Sequence, residues 1–276
     1  MAVAGPIAVD GVTLAYEDAG AGPAIVFVHG WPMSSYSWCR VAGELSGSYR
    51  TICLDLMGFG KSDKPARESY TIERQAELVL GAIRQLGLQR IVLVGHSMGG
   101  GVCLAIMREL GADQDLVSGL VLIDSVCYPQ RVNWMVRALS IPLLPEMLVA
   151  RIPVCWAYPI IRPVAYYRHG EVSSAAIREY ASLVHVEGGA HSFLASARQM
   201  APSDLDSFTE SYPQIGVPTQ IIWGRQDRLI PCELGERLAR AIPGAALDLV
   251  DQCGHCPQEE QPEATLAVLK RFLACE

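Results

Sequence analysis

The sequence lacks several features that mark large classes of proteins. It contains no run of basic residues, and its formal net charge is −7 with an isoelectric point near 5.4. Because phosphate contacts need clustered lysine and arginine, this charge balance argues against a nucleic-acid-binding protein. The one asparagine, Asn133, is followed by Trp134 and Met135, so the sequence has no N-glycosylation sequon.

Long uninterrupted apolar segments are missing as well. The most apolar stretch, residues 141–161, contains four prolines and two charged residues, which excludes a membrane-spanning helix. The first eleven residues carry no basic residue, and Pro6 and Asp10 interrupt them before any long apolar run, so we expect no signal peptide. These absences predict a cytoplasmic protein without a membrane span.

The composition is that of a globular chain. Half of the 276 residues are hydrophobic and 18% are charged, which excludes a disordered or collagen-like protein. At about 150 residues per domain, the length allows one or two domains. The nine cysteines are dispersed, and an odd, scattered set in a chain of this size favours reduced thiols in a cytosol.

Short apolar runs alternate with helical patterns along most of the chain. Residues 7–16 alternate around Asp10-Gly11, a dipeptide typical of a hairpin turn. The runs that follow are rich in Val, Ile and Leu, as in strands covered on both faces. They are residues 24–28, 51–55, 90–95, 119–124, 219–224 and 246–250, with helices predicted over 72–86, 98–110 and 231–241. This alternation predicts an open, mostly parallel α/β sheet with functional loops at the carboxyl ends of its strands.

The alternation stops between residues 128 and 213. No strand-like run occurs there, whereas Pro, Trp and Tyr are frequent, and helical spacing is present in residues 173–185 and 189–200. We interpret residues 128–213 as a helical insertion between two strands of the sheet, after the sixth strand. Residues 1–127 and 214–276 would then form the core.

Residues 95–99, Gly-His-Ser-Met-Gly, fit the G-x-S-x-G pattern of a nucleophile on a sharp turn. The segment follows a predicted strand and opens a predicted helix, which is the context that the pattern requires. Ser97 would stand above a helix N-terminus with its unpaired N–H groups. The alternative, a glycine-rich dinucleotide loop, fails because its middle glycine is Ser97 here.

A serine hydroxyl is a poor nucleophile without a general base, and His255 is the best candidate for that base. It lies in Gly-His-Cys-Pro, just after the last predicted strand. Asp227, just past the strand at 219–224, is predicted to orient the histidine and to stabilise its charged form. Asp124 also ends a strand and is the rival acid, so this choice stays open from the sequence.

The segment His29-Gly30-Trp31-Pro32 follows the first long strand and is predicted to complete the site. Gly30 lets the chain turn close to the nucleophile. The backbone N–H groups of Trp31 and Met98 are then predicted to form an oxyanion hole. His29 is interpreted as a residue that braces the loop.

Together these segments resemble the α/β-hydrolase superfamily over nearly the whole chain. The resemblance implies an α/β-hydrolase fold with an eight-stranded core and a helical cap. The chain is similar to a capped subgroup that includes esterases, haloperoxidase-like perhydrolases, epoxide hydrolases and haloalkane dehalogenases. The motifs that carry the resemblance are HGWP (29–32), DLMGFGKSDKP (55–65), GHSMGG (95–100), GRQDRLIP (224–231) and GHCPQEEQP (254–262).

The nucleophile decides among these activities. Dehalogenases and epoxide hydrolases of this type use a carboxylate, which forms an alkyl ester that water can cleave. Ser97 would form an alkyl ether, which water does not cleave at a useful rate, so it predicts acyl transfer instead. We expect a carboxylesterase for short to medium acyl chains, with a perhydrolase, a C–C bond hydrolase, a thioesterase or a non-turnover ligand-binding protein as alternatives. We expect a small-molecule ester substrate, no cofactor or metal, and a monomer or homodimer.

Two further features leave alternatives open. The first part of the predicted cap is rich in large apolar residues, which either pack against the core or line a hydrophobic acyl pocket. The Cys253-Gly-His-Cys256 spelling also occurs in dithiol redox proteins, but not in this context; a regulatory disulfide beside His255 stays possible from the sequence. The pocket candidates are Trp134, Met147, Trp156 and Tyr158.

Overall fold

The fold was obtained as a computed structural model, and its strands form one eight-stranded sheet. The structure describes residues 3–112, 114–129, 146–149, 151, 162–167 and 173–275. The strands are β1 (Val3–Val9), β2 (Val12–Ala19), β3 (Ala24–Val28), β4 (Arg50–Leu54), β5 (Ile91–His96), β6 (Val117–Ile123), β7 (Thr219–Gly224) and β8 (Ala246–Val250). Their order across the sheet is β1-β2-β4-β3-β5-β6-β7-β8.

The sheet is parallel except at one edge. β1 and β2 form an antiparallel hairpin whose turn residues, Asp10 and Gly11, have φ values of 48° and 81°. Two positive φ angles are what a two-residue turn needs to match the twist of the strands, and Asp-Gly supplies them at low cost. β2 pairs antiparallel with β4, and the strands from β4 to β8 pair in parallel.

Helices flank the sheet, and a helix is present in each of the five segments whose periodicity predicts one. They are α1 (Cys39–Leu45), α2 (Ile72–Gln85), α3 (Met98–Leu110), α4 (Glu146–Val149), α5 (Ser174–Ser182), α6 (Gly189–Arg198), α7 (Leu205–Glu210), α8 (Cys232–Ala241), α9 (Pro257–Glu260) and α10 (Pro262–Leu273), with short 3₁₀ turns at Ser35–Trp38 and Tyr212–Gln214. α4 to α7 lie between β6 and β7 in the sequence, where the helical cap is predicted. Among the residues that the structure describes, no helix is long and apolar enough to span a membrane.

Apolar clusters cover both faces of the sheet. Side chains of β3 separate into them by alternation: Val26 and Val28 belong to one cluster, and Ile25 and Phe27 to the other. α2, α3 and α8 pack on the first face, whereas α1 and α10 pack on the second. This two-sided burial is what the continuous apolar runs predicted.

The strand β8 differs from the expectation of burial on both faces. Ala246 is exposed, and the next three residues of the strand are only partly buried. The reason is its place at the edge of the sheet, where β7 is its one neighbouring strand. Because β5, β6, β7 and β8 are parallel, the loops that follow them all leave the sheet at the carboxyl ends of the strands.

Candidate active site

Ser97 sits on a strained turn between β5 and α3. Its φ and ψ are 52° and −117°, an unusual conformation for a residue with a side chain. Its N–H donates to Ile123 O at 2.9 Å, and Val126 N–H donates to Ser97 O at 3.0 Å. The turn is therefore held by β6 and by the segment after it.

The two glycines of the G-x-S-x-G segment are required by close packing. A Cβ at Gly95 would lie 2.5 Å from Gly99 O, and a Cβ at Gly99 would lie 2.2 Å from Val28 O. Both distances are far below van der Waals contact. The glycines of the G-x-S-x-G segment are therefore required because the turn packs tightly against the start of α3 and against the end of β3.

The structure brings Ser97, His255 and Asp227 together in one hydrogen-bonded chain. Ser97 Oγ lies 2.8 Å from His255 Nε2, and His255 Nδ1 lies 2.7 Å from Asp227 Oδ2. The three residues are 5%, 5% and 8% exposed, respectively. In the tautomer that this geometry favours, Nδ1–H donates to the carboxylate and Nε2 is free to accept the serine proton.

Backbone N–H groups, in addition to His255, stabilise the ionised form of Asp227. Its Oδ1 accepts hydrogen bonds from Leu229 N–H at 2.7 Å and Ile230 N–H at 3.0 Å. Burial on its own raises the pKa of Asp227, but attraction to His255 and the hydrogen bonds outweigh it and hold the pKa below its ordinary value. The loop after β7 therefore supplies an ionised acid rather than only a turn before α8.

The backbone of His255 is fixed from two sides. Its N–H donates to Ala165 O at 2.8 Å, and its carbonyl oxygen accepts from His96 Nε2 at 2.7 Å. Burial, and after it repulsion by His255, lowers the pKa of His96 to about 3. His96 is therefore a neutral donor, and it joins the turn that carries Ser97 to the loop that carries the base.

The loop predicted to supply an oxyanion donor lies directly against the nucleophile. A Cβ on Gly30 would lie 2.9 Å from Ser97 Cβ, so only glycine fits there. Met98 is the first residue of α3, and no carbonyl one turn earlier in that helix accepts its N–H. His29 braces this loop: Nδ1 pairs with Gly30 O at 2.8 Å, and Nε2 accepts from Leu56 N–H at 3.0 Å.

Trp31 connects this loop to α6. Its Nε1–H donates to Phe193 O at 3.1 Å, and the two aromatic rings are 4.7 Å apart. Val149 and Leu194 belong to the same apolar cluster. Sequence reasoning missed Phe193, because a single aromatic residue in a helical pattern carries no signal of its own.

The four pocket candidates fall on parts of the chain that are not described. Trp134, Trp156 and Tyr158 lie outside the described residues. Met147 belongs to α4, but its side chain also lies outside what the structure describes. The acyl pocket that they were predicted to line stays a prediction.

Asp124, the rival acid, lies beside Asp227 rather than in its place. Its side chain is fully buried, and Oδ1 accepts from Gly224 N–H at 3.1 Å. Of the residues described, Asp124, Asp227 and His255 form the one group of three or more whose metal-ligand atoms lie within 4.8 Å of one another. Two of these residues, His255 and Asp227, are already hydrogen-bonded to each other, as in an acid–base arrangement.

The Cys253-Gly-His-Cys256 segment does not have the environment of a redox dithiol. Both thiols are free and buried. Burial raises the pKa of both thiols far above the ordinary value, and Glu260, whose Oε1 is 3.6 Å from Cys253 Sγ, adds to this. A reactive dithiol needs a stabilised thiolate, which a buried site near carboxylates disfavours.

Glu259 is a polar centre that the sequence did not reveal. It accepts hydrogen bonds from Tyr166 OH at 2.8 Å and from Tyr180 OH at 2.6 Å. Burial raises its pKa to about 7, although the two tyrosine donors oppose the shift. Glu259 lies in α9, four residues after His255, and so ties the base-bearing loop to residues 162–167 and to α5.

Comparison with known proteins shows the family of the chain. The family model described as alpha/beta hydrolase family matches residues 25–268. The 2-hydroxymuconate semialdehyde hydrolase of Pseudomonas putida is 30% identical over 272 residues, which cover 94% of this chain and 89% of that protein. A thermophilic esterase from Thermogutta terrifontis, solved with malate bound, superposes with a TM-score of 0.81 at 29% identity, over 99% of this chain and 98% of its own. An esterase from Exiguobacterium antarcticum superposes with a TM-score of 0.83 at 26% identity, over 99% of this chain and 100% of its own. The chain therefore belongs to the alpha/beta hydrolase family.

Proposed function

We propose that this protein is a serine hydrolase that cleaves carboxylic esters of short to medium acyl chain. The observation that carries the proposal is the His255 ring, 2.8 Å from Ser97 Oγ on one side and 2.7 Å from the Asp227 carboxylate on the other. A nucleophile, a base within hydrogen-bond reach and an acid that orients the base are the parts that acyl transfer needs. The likeness to two esterases supports the same reaction class.

The proposed reaction has two halves. Ser97 Oγ attacks the ester carbonyl carbon while His255 Nε2 takes the serine proton, and the carbonyl electron pair moves onto the oxygen. The N–H groups of Trp31 and Met98 stabilise this oxyanion, each by about 3 kcal/mol. When the oxyanion collapses, the C–O bond breaks and the alcohol leaves with the proton from His255. Water then attacks the acyl-enzyme in the same way and releases the acid.

The apolar surroundings favour an uncharged acyl group. Trp31, Phe193, Leu194 and Val149 form one apolar cluster beside the loop that carries the proposed oxyanion donor. We propose that residues 128–213 act as a cap over the site. Its acyl pocket would be completed by Trp134, Met147, Trp156 and Tyr158.

The first experiment is hydrolysis of p-nitrophenyl esters of increasing acyl length. Wild type is compared with Ser97→Ala and with a matched control, Ser118→Ala, whose hydroxyl donates to Arg90 O near the amino end of β6. We expect an optimum at short to medium chains, about a millionfold lower kcat in Ser97→Ala, and wild-type rates in Ser118→Ala. Equal rates in wild type and Ser97→Ala, or a preference for charged or very long acyl groups, would contradict the proposal.

A C–C bond hydrolase with the same triad is the second candidate. It is favoured by the 30% identity to 2-hydroxymuconate semialdehyde hydrolase. Against it, Trp31 and Pro32 differ from glycine-rich oxyanion loops. Assaying that semialdehyde beside the ester series decides: a higher kcat/KM on the semialdehyde would replace the esterase assignment. The same assays, run with hydrogen peroxide and with thioesters, separate perhydrolase and thioesterase activities, and binding without turnover would indicate a ligand-binding protein.

A further inference from the structure

A second buried carboxyl group lies against the acid of the triad. Asp124 follows β6 with a φ of 43°, a conformation that side chains rarely adopt, and its side chain is fully buried. One carboxyl oxygen of Asp124, one of Asp227 and a ring nitrogen of His255 lie within 4.8 Å of one another. The two buried carboxyl groups are therefore close enough for the charge of one to affect the protonation of the other. Asp124 thus lies next to the triad on a strained backbone, and strained residues are common at functional sites.

The surrounding charges do not support two carboxylates at this place. The titratable groups that face Asp124 are Asp227 and His255 and, further away, Glu260, Cys253 and Cys256. Asp227 is hydrogen-bonded to the His255 ring, and no lysine or arginine in the described part of the chain forms an ion pair with either aspartate. Two buried carboxyl groups in contact cannot both ionise near neutral pH, so one of them keeps a proton.

The hydrogen bonds decide which group keeps it. Asp227 accepts from His255, Leu229 and Ile230. Among the residues that the structure describes, Gly224 N–H is the one hydrogen-bond donor to Asp124. The anion is therefore better stabilised on Asp227. In agreement, burial, and after it the charge of Asp227, raises the pKa of Asp124 well above its ordinary value.

We propose that Asp124 is a positioning residue: a neutral carboxylic acid whose O–H donates a hydrogen bond to the Asp227 carboxylate and holds it against His255. Asp124 does not exchange protons with His255 and does not replace Asp227. It acts as a fixed donor that keeps the charge on Asp227. Its effect on turnover rests on the proposed serine hydrolase activity, whereas its protonation does not.

Two substitutions separate this role from a merely structural one. Asp124→Asn keeps a donor for Asp227 and an acceptor for Gly224 N–H, so we expect kcat/KM within about threefold of wild type and an unchanged pH profile. Asp124→Ala removes the donor, so we expect kcat to fall at least tenfold with little change in KM, together with a shift of the acidic limb of the profile. An Asp124→Asn variant whose acidic limb moves by about a unit, or whose kcat falls as far as that of Asp227→Asn, would show that Asp124 is ionised and would overturn the proposal.

Infrared spectroscopy tests the protonation without any substrate. At pH 8, the difference spectrum between wild type and Asp124→Asn should contain the C=O stretching band of a protonated carboxyl group. The matched control Asp206→Asn, an exposed residue in α7, should give no such band. Absence of the band for Asp124→Asn overturns the proposal, even if Asp124→Ala does not fold. A band in a protein without ester turnover would instead contradict the proposed function and leave the neutral Asp124 standing.

Discussion

At the scale of single residues, Gly30, in the loop that carries Trp31, has no room for a side chain. A Cβ at this position would lie 2.7 Å from His96 Nδ1 and 2.9 Å from Ser97 Cβ. His96 has little freedom to move away, because its Nε2 is bound to His255 O. One added methyl group would therefore disturb the loop, the nucleophile and the base together.

Gly30→Ala is expected to lower kcat by about 10- to 100-fold with little effect on KM, because displacements near 1 Å carry such costs in turnover. Steady-state kinetics on the best p-nitrophenyl ester measures this. The control is Gly43→Ala in α1, where nothing besides the neighbouring residues and the backbone of the helix itself lies within 4 Å of the added Cβ. That variant should keep wild-type kcat and gain about 0.5–1 kcal/mol in the free energy of unfolding. Equal kinetics for Gly30→Ala and wild type would show that the loop is not catalytically constrained.

The sequence indicated some site residues and not others for physical reasons. Ser97, Asp227 and His255 were proposed as site residues because each follows an apolar run and two of them lie among glycines that the packing requires. The pairing of Asp124 with Asp227 was not predicted, because it depends on the register of β6 against β7. Contacts between residues 79 or more positions apart, such as Tyr180 with Glu259, leave no local pattern.

At the scale of elements, α9 connects the base-bearing loop with the region between β6 and β7. Glu259 carries this connection through Tyr166 and Tyr180. The pKa of Glu259 is raised to about 7 in the folded protein, above its value in an unfolded chain. Between these two values the native state holds a proton that the unfolded state has lost. Glu259 therefore lowers the free energy of unfolding as the pH rises through this window.

Glu259→Gln should remove this pH dependence. Between pH 5 and pH 8, wild type is expected to lose about 1–3 kcal/mol more stability than the variant, with the loss nearly complete above pH 7. Urea denaturation at both pH values measures the difference, and the slope from Asp124 cancels because both proteins contain it. The control is Glu263→Gln, whose exposed ion pair with Arg40 is worth little. If Glu259→Gln and wild type lose the same stability, Glu259 is ionised throughout this range.

The elements themselves were largely predictable. The apolar runs and the observed strands agree within two residues, and the run at 24–28 coincides with β3. The helix predicted over 98–110 coincides with α3. Periodicity did not predict that β4 lies between β2 and β3, because the order of strands depends on the crossovers and not on local pattern. It also overestimated the burial of β8, because the run does not show that a strand lies at an edge.

At the scale of the whole molecule, the described cysteines differ in exposure, and the buried ones lie on both faces of the sheet and beside the candidate site. Cys39 and Cys275 are exposed, and Cys232 is partly buried. The other described thiols are buried in the apolar clusters; they belong to Cys53, Cys103, Cys127, Cys253 and Cys256.

In the native protein, iodoacetamide should modify Cys39 and Cys275 first and Cys232 more slowly. The buried group should react only on unfolding, because closed packing excludes the reagent. Mass spectrometry of peptides from native and urea-unfolded samples measures the order.

Ester turnover should be the same with and without a strong reductant. Rapid labelling of Cys256, or activity that depends on reductant or oxidant, would support the regulatory disulfide beside His255 instead.

The sheet order has a consequence for how the protein is made. Ser97 and His255 are 158 residues apart, yet β5, β6, β7 and β8 are consecutive neighbours in the sheet. During synthesis the nucleophile turn and the loop around Gly30 can form on β3 and β5 well before the base has left the ribosome. Closing so long a loop is entropically costly and slow. In the proposed mechanism, a nascent chain therefore carries an unactivated serine, and Ser97 becomes reactive only when β8 and the segment after it dock.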